Sequence, residues 1–351
     1  MNLGLHYKNQ DHIFDEKEVN GVPFLSYPML EETGIVNHGF STRLGGVSKG
    51  CWATMNISTT RGDDPEDVRE NQRRIAGAIG VQPEDMTFTN QTHTTNVAVV
   101  KAGDRGKRFQ ETDGMITDVP GICLVTFYAD CVPLYFVDPV KKAICLSHSG
   151  WRGTVGKIGK VTIELMQKTY GSDPEDIIAA IGPSICRDCY EVSGDVIQQF
   201  RESFDEAYWP ELFYKKENGK YQLDLWRANE RIFTEAGIRE DHIAVTNVCT
   251  HCNPDILFSH RTTGDKRGNV SAFLALKQMT TIADTTQEVT DATQEAVKQV
   301  NQLTQYVQDS IPELITFGLK VLAALVAFFI GRLVIRWIRK IVRRSFERSG
   351  A

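Results

Sequence analysis

The chain's clearest pattern is the segment "LVTFYADCVPLYFVDPVKKAICLSHSGWRG", Leu124–Gly153. It holds two strand-like apolar runs, too short for helices and bounded by turn-forming residues. Cys131 follows an acid at the end of the first run, and His148 lies near the end of the second. On either side the pattern keeps alternating. "GVPFLSY" predicts a strand, and "IVNHGFSTRLGGVS" a strand running into a Gly-rich turn. "DDPEDVRENQRRIAGAIG" predicts a helix: Asp64 caps it, Pro65 suits its first position, acids fill its first turn and Gly80 stops it. "MTFTNQTHTTNVAVV" predicts strand, polar turn, strand. "TVGKIGKVTIELMQKTYG" predicts a helix that Gly156 and Gly159 weaken near its start. "DIIAAIGPSI" and "HIAVTNVCT" predict strands, while "DVIQQFRESF" and "DLWRANERIFTEAGI" predict helices, the second closed by Gly237. Such mixing predicts an α/β or α+β layered domain and excludes a bundle or a sandwich.

The pattern changes after about residue 279. Ile282, Val289, Ala296 and Leu303 recur every seventh position, which predicts a helix and a short coiled coil whose seam is weakened by Thr. From Leu314 to Ile335 the only charges are Lys320 and Arg332, over about the 20 residues that cross a bilayer. Arg336, Arg339, Lys340, Arg343 and Arg344 then alternate with apolar residues, as suits an anionic lipid surface. The expected organisation is a catalytic domain at 1–279, a helical linker at 280–313 and a membrane-associating helix at 314–351.

Composition is that of an ordinary globular protein, and a net charge of −6 gives no argument for nucleic acid. No N-terminal basic-then-apolar signal is visible. The eight cysteines are therefore expected to be reduced, in a cytoplasmic catalytic domain, and available as core residues, ligands or nucleophiles.

Cys131 in "ADCVP" and His148 in "SHSGWRG" sit where strands end, and His93 in "NQTHTTN" sits at a turn. Together they form a candidate His₂Cys site. Three protein ligands with an open fourth position suit catalytic zinc, whereas structural zinc is closed by four. One thiolate and two neutral imidazoles would leave positive charge on the ion, enough to acidify water and polarise an oxygen. From spacing alone, core packing and a metal site stand level.

Six motifs in order add a resemblance: "FSTRLGGVS", "NQTHTTNV", "DGMITDVPGICLVTFYADCVPLYFVDP", "AICLSHSGWRGTVGKI", "AAIGPSICRDCYEV" and "CTHCNPDILFSHR". Together they resemble the YfiH-like family, whose names include polyphenol oxidase (laccase) domain protein, purine nucleoside phosphorylase and peptidoglycan-editing factor. The likeness runs from about Val22 to Leu276. It implies an α/β/β/α layered fold and a zinc ligated at His93, Cys131 and His148, with copper as the alternative metal. The family's Gly after its first His is Thr94 here. It implies phosphorolysis of adenosine, inosine and methylthioadenosine to base and ribose 1-phosphate, with adenosine deamination beside it. For that chemistry Arg43, Arg152 and Arg261 are candidate phosphate or substrate contacts, and Asp113 and Asp130 candidate acid/base or ligand-orienting groups. The bland alternative for each is a surface ion pair or a turn cap.

Other readings use the same residues. In a metal-free Cys–His hydrolase or amidase, suited to peptidoglycan editing, Cys131 attacks, His148 is its base and His93 orients. A multicopper oxidase is disfavoured because the eight histidines are scattered with no H-x-H pair. A non-catalytic membrane scaffold is the third class. Cys186/Cys189 and Cys249/Cys252 form two C-x-x-C pairs that by themselves suggest structural zinc. The long gap between them favours buried thiols near the pocket instead.

The tail resembles the first membrane helix of MscS-like mechanosensitive channels, without a pore helix or cage, so no channel activity is expected. The positive-inside rule would keep its basic end in the cytoplasm. A helix lying in the interface, a tail-anchored span and a fusion of two reading frames all remain open, and the expectation is membrane association through 314–346.

Overall fold

The computed structural model describes residues 2–278, 297–302, 304–305, 311 and 317–340. The chain divides into two compact units, Met1–Gln278 and Met279–Ala351.

The first unit stacks two large sheets. One has seven strands, in spatial order Asp15–Val19, Val22–Ser26, Val36–Ser41, Val270–Leu276, Cys123–Tyr128, Met86–Thr89 and Arg108–Phe109. The other has six: Ile243–Val245, Ile178–Ile181, Val132–Asp138, Ala143–Ser149, Gly114–Thr117 and Val97–Val99. The Leu124–Gly153 segment thus holds three strands where two were expected: Cys123–Tyr128 in the first sheet, and Val132–Asp138 and Ala143–Ser149 in the second. A break at Ala129–Cys131 carries the chain across, with Asp130 at a φ of 89°.

Period-two alternation builds the layers. Leu124, Tyr128 and Leu274 of the first sheet meet Tyr135, Val137, Ile144 and Leu146 of the second, forming the core between them. The opposite faces of the same strands bury Leu134, Phe136 and Cys145 against helices Ile158–Tyr170, Gly194–Ser203 and Leu225–Glu235. On the far side Val125 and Phe273 pack on Ile75 and Ile79 of helix Pro65–Ile79. The result is helix, sheet, sheet, helix. Phe136 is fully buried, its ring 4.9 Å from Phe233, and truncation of such a residue costs ~3–5 kcal/mol.

Helix Pro65–Ile79 ends as its caps dictate. Asp64 accepts from the Glu66 N–H at 2.8 Å, and Gly80 takes the left-handed conformation. The "TVGKIGK" helix is broken in two, Trp151–Val155 and Ile158–Tyr170, with Lys157 left-handed between them. A small sheet of Glu191–Val192, Tyr221–Leu223 and Phe213–Lys215 went unpredicted, its strands being only two or three residues long.

In the second unit Phe317–Lys340 is a 24-residue helix, exposed along its length and roughly 36 Å long at 1.5 Å per residue. Of the expected coiled-coil linker, residues 297–302, 304–305 and 311 are described and helical. The rest of that linker, and the basic end beyond 340, lie outside the described residues.

Candidate active site and metal centre

The end of strand Ala143–Ser149 carries His148, the strand crossing at Asp130 carries Cys131, and the turn after Met86–Thr89 carries His93. The fold brings the three together: their ligand atoms lie within 4.8 Å of one another. Cys131 Sγ is 4.0 Å from His93 Nε2, and the two imidazoles meet edge to face at 5.0 Å. Close approach here requires Gly150, where a Cβ would stand 3.0 Å from the His93 ring and 3.2 Å from Cys131 Sγ. His93 and Asp130 both have positive φ, 63° and 89°, so the turns that aim this cluster are strained.

Asp113 organises the cluster from beneath. Its buried carboxylate accepts from His148 Nδ1 at 2.9 Å, from the backbone N–H groups of Thr92, His93 and Thr94 at 3.1, 3.0 and 2.9 Å, and from the Thr94 hydroxyl at 2.9 Å. Burial works against its ionisation, but the His148 imidazole and these N–H donors outweigh it and hold the carboxyl at about 2. With Nδ1 engaged, Nε2 of His148 faces Cys131 and His93. Burial likewise opposes charge on the other two groups. The thiolate and Asp113 nonetheless lift His148 to about 9, and the imidazoles bring Cys131 down to about 6. A buried thiol in apolar surroundings behaves oppositely: Cys123 and Cys145 are pushed up to about 12. A low thiol, two imidazoles and a carboxylate fixing one tautomer form a donor set that fits a divalent ion of zinc or copper type.

Two adjoining cavities meet at His93 and Cys131. The smaller, about 200 Å³, is lined by Arg61, Arg108, Arg267, Ser58, Gln91 and His148 and has no carboxylate in its lining. Arg267 is held at about 10 by burial and by the neighbouring Arg61 charge, and its Nε is buried with no hydrogen-bond partner among the described residues. The larger, about 390 Å³, is walled by Trp151, Tyr190, Ile185 and Leu225, rimmed by Asp130, Asp265, Arg152 and Arg261, and shares Arg61 and Arg267 with the smaller.

Of the other expected residues, Asp130 lies at this rim, accepting from the Thr250 hydroxyl and the Arg261 N–H, both at 2.6 Å. Arg152 stacks over Trp151 at 4.3 Å and Arg261 over Tyr190 at 5.4 Å. The structure does not bring Arg43 to either cavity. Its guanidinium donates to the carbonyls of Ala53 and Pro254 at 3.0 and 2.7 Å and lies over Phe258. Sequence reasoning missed Arg61, Arg108 and Arg267. "TTRGDD" and "DKRGN" show a basic residue within two positions of glycine, as "STRLGG" does at Arg43, and only the tertiary fold separates them.

A two-sheet α+β domain with His, Cys and His gathered at the mouth of a cleft is the architecture of an enzyme with a candidate metal site. The chain belongs to the YfiH-like family, described as multi-copper polyphenol oxidoreductase laccase, which matches residues 37–277. A second match, to the conserved transmembrane helix of mechanosensitive ion channels, covers residues 305–351. The chain is 35% identical over 250 residues to a purine nucleoside phosphorylase of Bacillus subtilis, covering 68% of this chain and 88% of that one. It is 32% identical over 237 residues to an adenosine deaminase from an unidentified prokaryote, covering 65% and 90%. The crystal structure of YlmD from Geobacillus stearothermophilus superposes with a TM-score of 0.71 at 34% identity, covering 76% of this chain and 99% of that one.

Proposed function

We propose that the first unit is a zinc-dependent purine nucleoside phosphorylase that also deaminates adenosine. The observation that carries this reading is the two-lobed cleft: an arginine-lined lobe free of carboxylates and an aromatic-walled lobe meet at a boundary formed by His93, Cys131, Arg61 and Arg267. Inorganic phosphate suits the first lobe, where it relieves the repulsion between Arg61 and Arg267 and gives Arg267 Nε an acceptor. A purine nucleoside suits the second, its base against Trp151 and Tyr190. In phosphorolysis a phosphate oxygen bonds to ribose C1′ as the C1′–N9 bond breaks. The electron pair leaves with the base, which takes up a proton.

His93, Cys131 and His148 would hold the ion, which when bound supplies Lewis-acid polarisation. Asp113 fixes the His148 tautomer, the arginines orient phosphate, and the aromatic wall excludes water from the sugar. Asp130, held by two donors at the rim, is placed to orient the nucleoside.

The test is phosphate-dependent release of base by the purified full chain, with Cys131→Ala beside it. Base release that needs both phosphate and Cys131 supports the assignment, and no release from the intact enzyme removes it. The Cys–His hydrolase reading retains support from the lowered Cys131 thiol, and it predicts activity that survives complete chelation. For the tail we infer association with anionic membrane, supported by the exposed apolar helix Phe317–Lys340 and the match to a channel membrane helix. The catalytic domain is proposed to be cytoplasmic.

A further inference from the structure

Outside the cleft, the fold gathers a second set of ligand-type side chains. Cys186 caps and Cys189 closes a single 3₁₀ turn after strand Ile178–Ile181, and Cys249 precedes and Cys252 ends a turn after Ile243–Val245. The two C-x-x-C loops are 63 residues apart in sequence. The fold closes that gap because their parent strands pair in parallel, Ala179 beside Ile243 through Ile181 beside Val245. A further bridge joins Ser184 to Cys249, with the Thr250 N–H donating to the Ser184 carbonyl at 3.2 Å.

The four sulfurs lie within 4.8 Å of one another, and Cys189 Sγ is 3.5 Å from Cys252 Sγ. A tetrahedral ion with Zn–S bonds of about 2.3 Å would set its sulfurs about 3.8 Å apart. The surroundings suit a metal thiolate. The Cys186 N–H points at Cys249 Sγ at 3.3 Å, as a backbone donor does toward a coordinated thiolate. Lys8, paired with Asp188 at 3.1 Å, places a positive charge that acts on both Cys186 and Cys252. Ile185, Tyr190 and Trp226 pack around the cluster, leaving Cys186 and Cys249 buried and the other two half-buried.

We propose that Cys186, Cys189, Cys249 and Cys252 form a second, closed metal site that binds one structural zinc ion through four thiolates. The site is separate from the His93–Cys131–His148 cluster and does not depend on the phosphorylase reading. Its consequence is local stiffness. The residues next to Cys186 and Cys249 hold the strand crossing that presents Cys131: the Ile185 N–H donates to the Asp130 carbonyl at 3.0 Å, and the Thr250 hydroxyl to the Asp130 carboxylate. Ile185 and Tyr190 also wall the larger cavity. One ion tying two loops thus braces both the wall and the turn that carries a ligand of the first site. Four soft thiolates in tetrahedral reach select zinc over magnesium or calcium.

The experiment measures metal content of the full chain purified in detergent under reducing conditions and reconstituted with Zn²⁺ alone. Two zinc ions per wild-type chain are expected, one in Cys189→Ser/Cys252→Ser, and one in His93→Ala/Cys131→Ser. Cobalt substitution of the last variant serves as a second measurement that needs no change at the four cysteines. It should give the intense thiolate-to-metal charge transfer of a four-sulfur tetrahedral site. A single zinc in the wild type, lost with Cys131 and kept without Cys189 and Cys252, would overturn the proposal. So would a Cys189–Cys252 disulfide in the reconstituted wild type, or a cobalt spectrum with no multi-thiolate band.

Discussion

Asp113→Asn is the most informative single change, because one carboxylate serves five donors. Oδ1 accepts from the His93 N–H and from His148 Nδ1, whereas Oδ2 accepts from the Thr92 and Thr94 N–H groups and the Thr94 hydroxyl. An amide has one oxygen, so its NH₂ must face one of these sets. Facing the second set, it opposes two backbone N–H groups that cannot reverse. Facing the first, it opposes one backbone N–H and an imidazole that can exchange tautomers. The second arrangement costs less, and it leaves one buried N–H unsatisfied, worth ~1–3 kcal/mol of stability. It also moves the His148 proton to Nε2, the atom that faces Cys131 and His93, and so removes the lone pair a metal needs. Loss of such an orienting partner lowers metal affinity by about 10–100-fold. Chelator competition on the full chain measures the affinity, and thermal unfolding of the metal-free chain measures the stability. Thr94→Ala is the control: it removes one neutral donor, and the acceptor of the exposed Asn96 N–H, but leaves the tautomer alone, so affinity should stay within about threefold while stability falls by ~1 kcal/mol. Wild-type metal affinity in Asp113→Asn, or an equal loss in Thr94→Ala, would refute the tautomer argument.

The remaining expectations concern the anion lobe, the core and the tail. Arg267→Met should raise the phosphate KM by roughly 10–100-fold, the loss of a charge-assisted bond of ~1.5–3 kcal/mol, and the nucleoside KM by less, since Arg267 also borders the larger cavity. Saturation kinetics in each substrate separates the two, and equal shifts would count against a phosphate-specific role. His38 is buried, accepts the Tyr27 N–H on Nε2 at 2.8 Å, and is held down to about 4 chiefly by burial, so it stays neutral where an unfolded histidine protonates. The unfolded chain therefore binds the extra proton between about pH 6.5 and 4. Stability should fall through that window by ~3 kcal/mol on acidification, with a shallower slope in His38→Gln by denaturant titration. Ending the chain at Lys277 should move it from the membrane to the supernatant fraction; identical partitioning of both forms would remove the membrane proposal.

Much of the fold was legible because its elements announce their own ends. Asp64, Pro65 and Gly80 bracket one helix, and Gly237 closes another. The segment 123–149 was harder. "VPLYFVD" is buried on both faces, so its alternation leaves no polar trace, and the crossing at "ADC" is a backbone event at Asp130 that looks like loop. The site shows the same limit more sharply. His93, Cys131 and His148 could be named as candidates because each sits at a turn or near the end of a strand, but their meeting depends on two sheets stacking. The arginines of the smaller lobe come from two loops and an edge strand far apart in the chain, and nothing local distinguishes Arg267 from Arg43. The two C-x-x-C pairs carried the opposite lesson: their long separation argued against a shared site, yet a parallel strand pair makes that distance immaterial.

The two activities proposed for the cleft place a demand on it. Phosphorolysis breaks the bond from ribose C1′ to the base, whereas deamination replaces the amino group on the far side of the purine. A rigid His–Cys–His cluster at the cavity junction can stand beside only one of these atoms in a given pose. A chain that performs both must therefore bind adenosine in two directions. The aromatic wall permits this, since stacking on Trp151 and Tyr190 is indifferent to which end of the base leads. The arginine lobe does not, because phosphate occupying it fixes where the ribose lies. Phosphate should then suppress deamination as it promotes phosphorolysis, and the ratio of the two products should follow the phosphate concentration. A constant ratio would mean that the activities do not compete for one pose at this cleft.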